Sequence, residues 1–170
     1  MTQPQATHKQ HPIGTGFTAS STVDDVIAGI DLTGKNAVVT GGHSGLGLLV
    51  TRALATAGAS VTVGSRDPER GAAGVAGIER VEVSQLDLLD PVSIDAFAAR
   101  YVDSGRPLHI LVNNAGFAPS SAEVTRDARG YEVQFATNHL GHFQLTLGLY
   151  PALRAAQGPE WSPRHRAPSG

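Results

Sequence analysis

Residues 36–47 read NAVVTGGHSGLG and decide the fold. Asn36–Thr40 is a short apolar run rich in β-branched residues, which predicts a buried strand. Apolar residues then recur at helical spacing over residues 46–57, and Gly58 follows at a position that commonly ends a helix. The glycines in between predict a tight strand-to-helix connection with an accessible backbone.

The same alternation of strand and helix continues along the chain. Three further strands are predicted, at residues 60–65, 81–86 and 108–112. Helices are predicted to follow from Pro68, from Asp90-Pro91 and over residues 130–156. Because strands that alternate with helices form parallel sheets, the sequence predicts a doubly wound α/β fold with four strands in the order 3-2-1-4 and helices on both faces.

Composition bounds the domain organisation and the function classes. The chain has 170 residues, a net charge of −2 and no cysteine, which argues against nucleic-acid binding and excludes cysteine nucleophiles and disulfides. No apolar run is long enough for a membrane helix, so a cytoplasmic protein is expected. We expect a flexible tail at residues 1–20, one domain at 21–157 and an irregular tail at 158–170. Our hypothesis for the composition of this last tail is a coding stretch read in a shifted frame.

The glycine-rich loop is the first candidate binding site. A loop between a strand and a helix N-terminus is where a dinucleotide pyrophosphate binds, since glycines let the backbone approach and the helix supplies free N–H groups. The alternative is a glycine-rich turn without a ligand. The candidate residues are Thr40, Gly41, His43, Ser44, Gly45, Leu46 and Gly47.

The end of the second strand predicts which dinucleotide would bind. Ser65 stands where a carboxylate would bind the ribose of NAD, and Arg66 follows it. An arginine there accommodates a 2′-phosphate, so the sequence favours NADP over NAD. Asp67 is the counter-argument, although it suits a helix cap better.

The ends of the third and fourth strands add further candidates. Asp87-Leu88 could meet the adenine, or Asp87 could be an ordinary turn residue. Asn114, Ala115 and Gly116 leave room for a flat ligand, while the asparagine could also hold a sharp turn.

Asn138 interrupts the apolar stripe of the last predicted helix. A buried asparagine is costly unless it is hydrogen-bonded, so we expect a structural or catalytic role for it. His139 and His142 lie three residues apart, but no matched carboxylate accompanies them, and no metal site is predicted.

Together, TGGHSGLG, Asp87, NNAG and the helical Asn138 resemble the short-chain dehydrogenase/reductase family over roughly residues 30–156. The stretch GYEVQFATNHLGHFQLT at residues 130–146 is similar to the retinol-dehydrogenase-like branch. The resemblance implies a homo-oligomeric oxidoreductase that moves hydride between NAD(P) and a small carbonyl or alcohol substrate. It also implies a catalytic set of asparagine, serine, tyrosine and lysine.

Of that catalytic set, only Asn138 has a counterpart here. No lysine follows Lys35, and Tyr150-x-x-x-Arg154 lies only 12 residues beyond Asn138 with no strand between them. We therefore expect this chain to be inactive alone, as an apparently C-terminally truncated family member. The alternatives are a nucleotide-binding fragment and a non-functional product. A methyltransferase also places a glycine loop after its first strand, but NNAG and the asparagine helix argue against it.

Overall fold

The computed structural model describes residues 14–118 and 124–157. The predicted tail at residues 158–170 and most of the tail at residues 1–20 lie outside them. The helices and strands, in chain order, are α1 (Val23–Ile27), β1 (Asn36–Thr40), α2 (Gly45–Thr56), β2 (Ser60–Ser65), α3 (Pro68–Gly74), β3 (Val81–Gln85), α4 (Pro91–Asp103), β4 (Ile110–Val112), α5 (Val133–Phe135), a π-helix (Ala136–Gly141) and α6 (His142–Ala155).

The four strands form one parallel sheet in the order β3-β2-β1-β4, which confirms the predicted topology. Thr40 pairs with Gly64, and Ser65 pairs with Gln85, so the carboxyl ends of the strands share one edge. In open α/β sheets, ligands bind beyond this edge, where the strand order reverses. Here the reversal falls between β1 and β4.

Helices cover both faces of the sheet, as predicted. On one face, α4 and α6 bury Phe97, Leu145 and Leu149 against Val38 of β1. On the other face, α2 packs Leu54 against the opposite side of the sheet. Side chains alternate between the two faces of a strand, so neighbouring β1 residues belong to different cores.

Several predicted boundaries differ from the structure: β3 ends at Gln85 rather than residue 86, and α2 spans Gly45–Thr56 rather than residues 46–57. The fourth strand begins at Ile110 rather than Leu108, because the Leu108 amide donates to the Ala152 carbonyl of α6 at 2.9 Å instead of pairing with β1. The single helix predicted over residues 130–156 is wrong as well. It begins at Val133, where the Glu132 carboxylate caps the first turn, and it contains the π-helix Ala136–Gly141.

The π-helix brings α6 close to the loop after β3. A Cβ on Gly141 would collide with the carbonyl group of Leu88, so only glycine permits this approach. A π-helix accommodates an extra residue in a helix and is frequent at functional sites. A periodic apolar stripe does not reveal such an insertion.

Candidate dinucleotide site

A cleft of about 530 Å³ lies at the carboxyl edge of the sheet. All four strands contribute their last residues or the loops that follow. It brings together eleven of the thirteen residues predicted to bind a cofactor: Gly41, His43, Ser44, Leu46, Gly47, Arg66, Asp87, Leu88, Asn114, Ala115 and Gly116.

The glycine loop forms one wall of the cleft by close backbone packing. Gly41 has a φ of +64°, and a Cβ on it would lie 3.1 Å from the Cβ of Ala115. A Cβ on Gly47 would lie 2.5 Å from the Gly41 carbonyl oxygen and would also collide with the Asn114 amide. Side chains at these positions would displace the wall, so the glycines are required by geometry.

The N-terminus of α2 opens at this wall. Ser44 is the N-cap residue, but its side chain accepts no capping hydrogen bond from the helix. The first-turn N–H groups of a helix have no intrahelical acceptors and attract anions, as does the helix dipole. The ring Nδ1 of His43 is also buried without a partner among the described residues. The loop therefore offers several unused polar groups to an anionic ligand. Gly45 begins α2 but does not line the cleft.

Arg66 is the exposed cation at the end of β2. The Ser65 hydroxyl is buried and donates to the Asp67 carbonyl at 2.7 Å. The Asp67 carboxylate accepts from the Arg70 amide at 3.0 Å, which confirms its role as the cap of α3. Neither side chain pairs with Arg66, which forms no ion pair within residues 14–118 and 124–157. Its guanidinium is therefore available to a phosphate.

Asp87 lies on the cleft and holds a turn at the same time. Its Oδ1 accepts from the Leu89 amide at 2.9 Å, and its own amide donates to the Ser93 hydroxyl at 2.9 Å. Asp87 can therefore be a turn residue and still face an adenine, the two roles that the sequence left open. A carboxylate has further acceptor positions besides the one that this turn uses.

Thr40 does not line the cleft, contrary to the prediction. It is fully buried, and its hydroxyl oxygen accepts from the amides of Asn114 and Ala115, each at 2.9 Å. The Asn114 side chain in turn donates to the Thr40 carbonyl at 3.0 Å. Thr40 thereby holds the backbone of residues 114–115, which we call the floor of the cleft.

Asn138 is exposed rather than buried, which corrects the reason given for its role. Its amide group nevertheless forms two hydrogen bonds with the Phe117 backbone, accepting from N–H at 2.8 Å and donating to C=O at 2.9 Å. It thus ties the π-helix to the segment after Gly116. It does not line the cleft itself, although its neighbour Thr137 does.

The two histidines do not form a metal site. His139 is exposed and stacks on Phe135, with ring centroids 5.2 Å apart, whereas His142 is buried. In the described part of the chain, no cluster of histidine and carboxylate residues suits a metal ion.

Sequence reasoning missed several cleft residues. Arg70 and Thr137 enter from helices, where only the helical turn decides which side chain reaches the ligand. Gly64 and Leu86 are strand-end residues adjoining the predicted ones, so a wider window at each strand end would have found them. The cleft residues outside the predicted set are Gly64, Ser65, Asp67, Arg70, Leu86, Phe117 and Thr137, of which Ser65 and Asp67 were already considered at the end of the second strand.

The family model described as short chain dehydrogenase matches residues 35–159, which span the sheet, the cleft and the helix carrying Asn138. The chain belongs to the short-chain dehydrogenase family. A probable oxidoreductase of Streptomyces antibioticus is 50% identical over 135 residues, covering 75% of this chain and 43% of the relative. Retinol dehydrogenase 12 of Mus musculus is 40% identical over 131 residues, covering 74% of this chain and 41% of the relative.

Solved short-chain dehydrogenase structures agree with the fold. The Pseudomonas aeruginosa RhlG/NADP active-site complex superposes with a TM-score of 0.67 at 29% identity, covering 76% of this chain and 52% of that one. A metagenomic short-chain oxidoreductase in complex with NADP gives a TM-score of 0.63 at 33% identity, covering 74% and 59%. The chain thus spans less than half the length of the curated relatives named above. None of its described helices has the length and apolarity to cross a membrane.

Proposed function

We propose that this chain binds NADP in the cleft, as the dinucleotide-binding part of a short-chain dehydrogenase that interconverts a carbonyl and an alcohol. The observation that carries the proposal is that the open N-terminus of α2 and Arg66, which has no ion pair in the described part of the chain, line the same cleft. These polar groups without partners suit a ligand that carries more than one phosphate. The bound nicotinamide would supply hydride chemistry, and this chain's residues would hold and orient it.

Each wall has a distinct role in this proposal. The first turn of α2 would bind the pyrophosphate, with Gly41 and Gly47 permitting its close approach. Arg66 would bind the 2′-phosphate, Asp87-Leu88 would flank the adenine, and residues 114–116 would lie beside the nicotinamide ribose. NADP complexes among the similar structures support this choice over NAD.

Replacing Arg66 by alanine should weaken binding of NADP⁺ roughly 10- to 100-fold, because a charge-assisted contact to the 2′-phosphate is lost. Affinity for NAD⁺ should change little, since NAD⁺ lacks that phosphate. Isothermal titration calorimetry with both dinucleotides measures the two values. Arg52→Ala is the matched control, since Arg52 is also exposed but lies away from the cleft. Equal losses of affinity for NADP⁺ and NAD⁺ would show that Arg66 does not select between the two dinucleotides.

We expect no NADPH oxidation by this chain alone with any small aldehyde or ketone. Proton transfer to the substrate oxygen needs a positioned acid. Tyr150 and Arg154 lie on α6 and do not line the cleft, and the sequence has no lysine after Lys35. Absorbance at the NADPH band measures turnover. A rate above that of buffer, lost in a Tyr150→Phe variant, would contradict this expectation.

The broader context of the chain is proposed from the same family. A small carbonyl or alcohol substrate and homo-oligomer formation are what the family membership supports, and a cytoplasmic location stays a prediction from the sequence. Phe143, Leu147 and Tyr150 form an exposed stripe along α6 that suits a subunit contact, which sedimentation velocity tests. Binding without turnover would favour the nucleotide-binding fragment over the enzyme, and absence of both would favour a non-functional product.

A further inference from the structure

A buried chain of hydrogen bonds connects α6 to the floor of the cleft. His142 is 6% exposed, and its ring Nε2 lies 2.8 Å from the Thr40 hydroxyl. Its Nδ1 lies 3.0 Å from the backbone carbonyl of Asn138. Since Thr40 also contacts Asn114 and Ala115, the ring of His142 is linked to the cleft through a single hydroxyl.

The partners determine where each proton lies. The Asn138 carbonyl can only accept, so Nδ1 carries the hydrogen and Nε2 is the acceptor. The Thr40 oxygen accepts from two amides, which occupies both of its lone pairs, so its own proton must be donated. Nε2 is the nearer acceptor at 2.8 Å, against 3.5 Å for the Val112 carbonyl. One proton arrangement satisfies every group.

We propose that neutral His142, in the Nδ1–H form, is a positioning residue for the cleft. It fixes the Thr40 hydroxyl, which in turn holds the backbone of residues 114–115 where a ligand would lie. Protonating Nε2 would set a donor against an oxygen whose lone pairs are already used. Thr40 would then have to release a backbone amide, and the cleft floor would loosen.

The surroundings of His142 agree with a neutral ring. Burial lowers its pKa below the ordinary 6.5, and the bond to the Asn138 carbonyl opposes this only in part. Among residues 14–118 and 124–157, no charged group contributes to the shift. Four titratable groups on the elements packed around α6 and the π-helix have other partners: Asp95 bonds Gln144, Arg100 bonds the Gln85 carbonyl, Asp87 bonds the Leu89 amide and His139 stacks on Phe135. Tyr101 of α4 is buried in the same core, and because burial raises its pKa above the ordinary 10.0 it carries no charge near His142.

This arrangement gives stability a defined dependence on pH. The folded pKa of His142 is below its unfolded value, so the unfolded chain binds a proton first as pH falls. The contribution of neutral His142 to the free energy of unfolding is therefore complete above about pH 6.5. It declines as the pH falls from there toward the lowered pKa of the folded state.

The first test is the ring proton of His142 in the unmodified chain. Long-range ¹H–¹⁵N correlation spectra of the imidazole distinguish Nδ1–H from Nε2–H without a ligand. We expect Nδ1–H at pH 7.5, and amide signals of Asn114 and Ala115 that titrate together with His142. An Nε2–H ring, or a ring that titrates without moving these amides, would overturn the proposal. This measurement needs no variant and does not depend on NADP binding.

The second test separates positioning from general stability. In His142→Phe, hydrogen exchange at the Asn114 and Ala115 amides should accelerate about five- to tenfold, and NADP⁺ binding should weaken by a similar factor. His139→Phe, on the exposed side of the π-helix, is the control and should change neither. Thr40→Val combined with His142→Phe should be no worse than Thr40→Val alone. Additive effects would mean that His142 acts independently of Thr40. Faster exchange with no NADP⁺ binding in any variant would overturn the proposed function and leave the positioning role supported.

Discussion

Replacing Gly47 by alanine is expected to abolish measurable NADP⁺ binding. The new Cβ would lie 2.5 Å from the Gly41 carbonyl oxygen and against the Asn114 amide. The Gly41 oxygen belongs to the backbone, and the Asn114 side chain is held by its hydrogen bond to the Thr40 carbonyl, so the start of α2 must move away from β1. A shift of the helix N-terminus removes the N–H groups from the position where the pyrophosphate would bind. The affinity should fall roughly 100-fold or more, as calorimetry can measure, with a loss of about 1–3 kcal/mol in folding free energy from overpacking.

Gly105→Ala is the control for a general glycine effect. Gly105 has a φ of +68°, yet an added Cβ there meets nothing within 4 Å, and it lies at the end of α4 away from the cleft. Its replacement should cost some stability through backbone strain and leave NADP⁺ affinity unchanged. If Gly47→Ala bound NADP⁺ as the unmodified chain does, the glycine loop would not be the pyrophosphate site.

Replacing Phe97 by alanine should cost about 3–5 kcal/mol of folding free energy, the largest stability loss expected for a single side chain here. Phe97 is 2% exposed and lies between α4, α6 and the sheet in the core that contains Leu145 and Leu149. A single domain is commonly stable by only about 5–15 kcal/mol, so the variant should be largely unfolded at moderate denaturant. Urea unfolding followed by circular dichroism measures the shift in midpoint.

Phe143→Ala provides the matched control on α6. Its ring is 60% exposed, so in the monomeric chain, where no subunit covers α6, the same chemical change should alter the folding free energy by about 0.5 kcal/mol or less. Because α6 carries His142, loss of the Phe97 contact should also weaken the cleft floor before global unfolding. A small change for Phe97→Ala, equal to that of Phe143→Ala, would show that α6 does not dock as described.

Local patterns were sufficient to predict the sheet and the glycine wall. The β-branched runs of β1 and β2 and the glycines after β1 can each be recognised within a few residues. The alternation of strands and helices then predicts the strand order. Thr40 shows the limit of this reasoning. A threonine beside the glycine loop resembles a ligand contact, but it is buried and bonded to residues more than seventy positions away. Only the contacts made in the folded chain distinguish a ligand-binding threonine from a buried structural one.

The π-helix was beyond sequence reasoning for a different reason. Its extra residue leaves the apolar stripe nearly intact, so the pattern indicated one regular helix with Asn138 inside it. In the structure the insertion turns Asn138 outward to the Phe117 backbone and turns His142 inward to Thr40. Asn138 was selected because burying an asparagine without hydrogen bonds is costly, but its side chain is exposed in the structure. Its side-chain amide is nevertheless hydrogen-bonded, to the backbone of Phe117 in the segment after β4.

The most direct test of the central claim is a titration of the ¹⁵N-labelled chain with NADP⁺, followed by amide shifts. The account predicts saturable shifts confined to residues 41–47, Arg66, residues 87–88 and residues 114–117, with NAD⁺ producing the same shifts except those at Arg66. Absence of saturable shifts in the glycine loop, in a chain whose spectrum shows it to be folded, would contradict dinucleotide binding in this cleft.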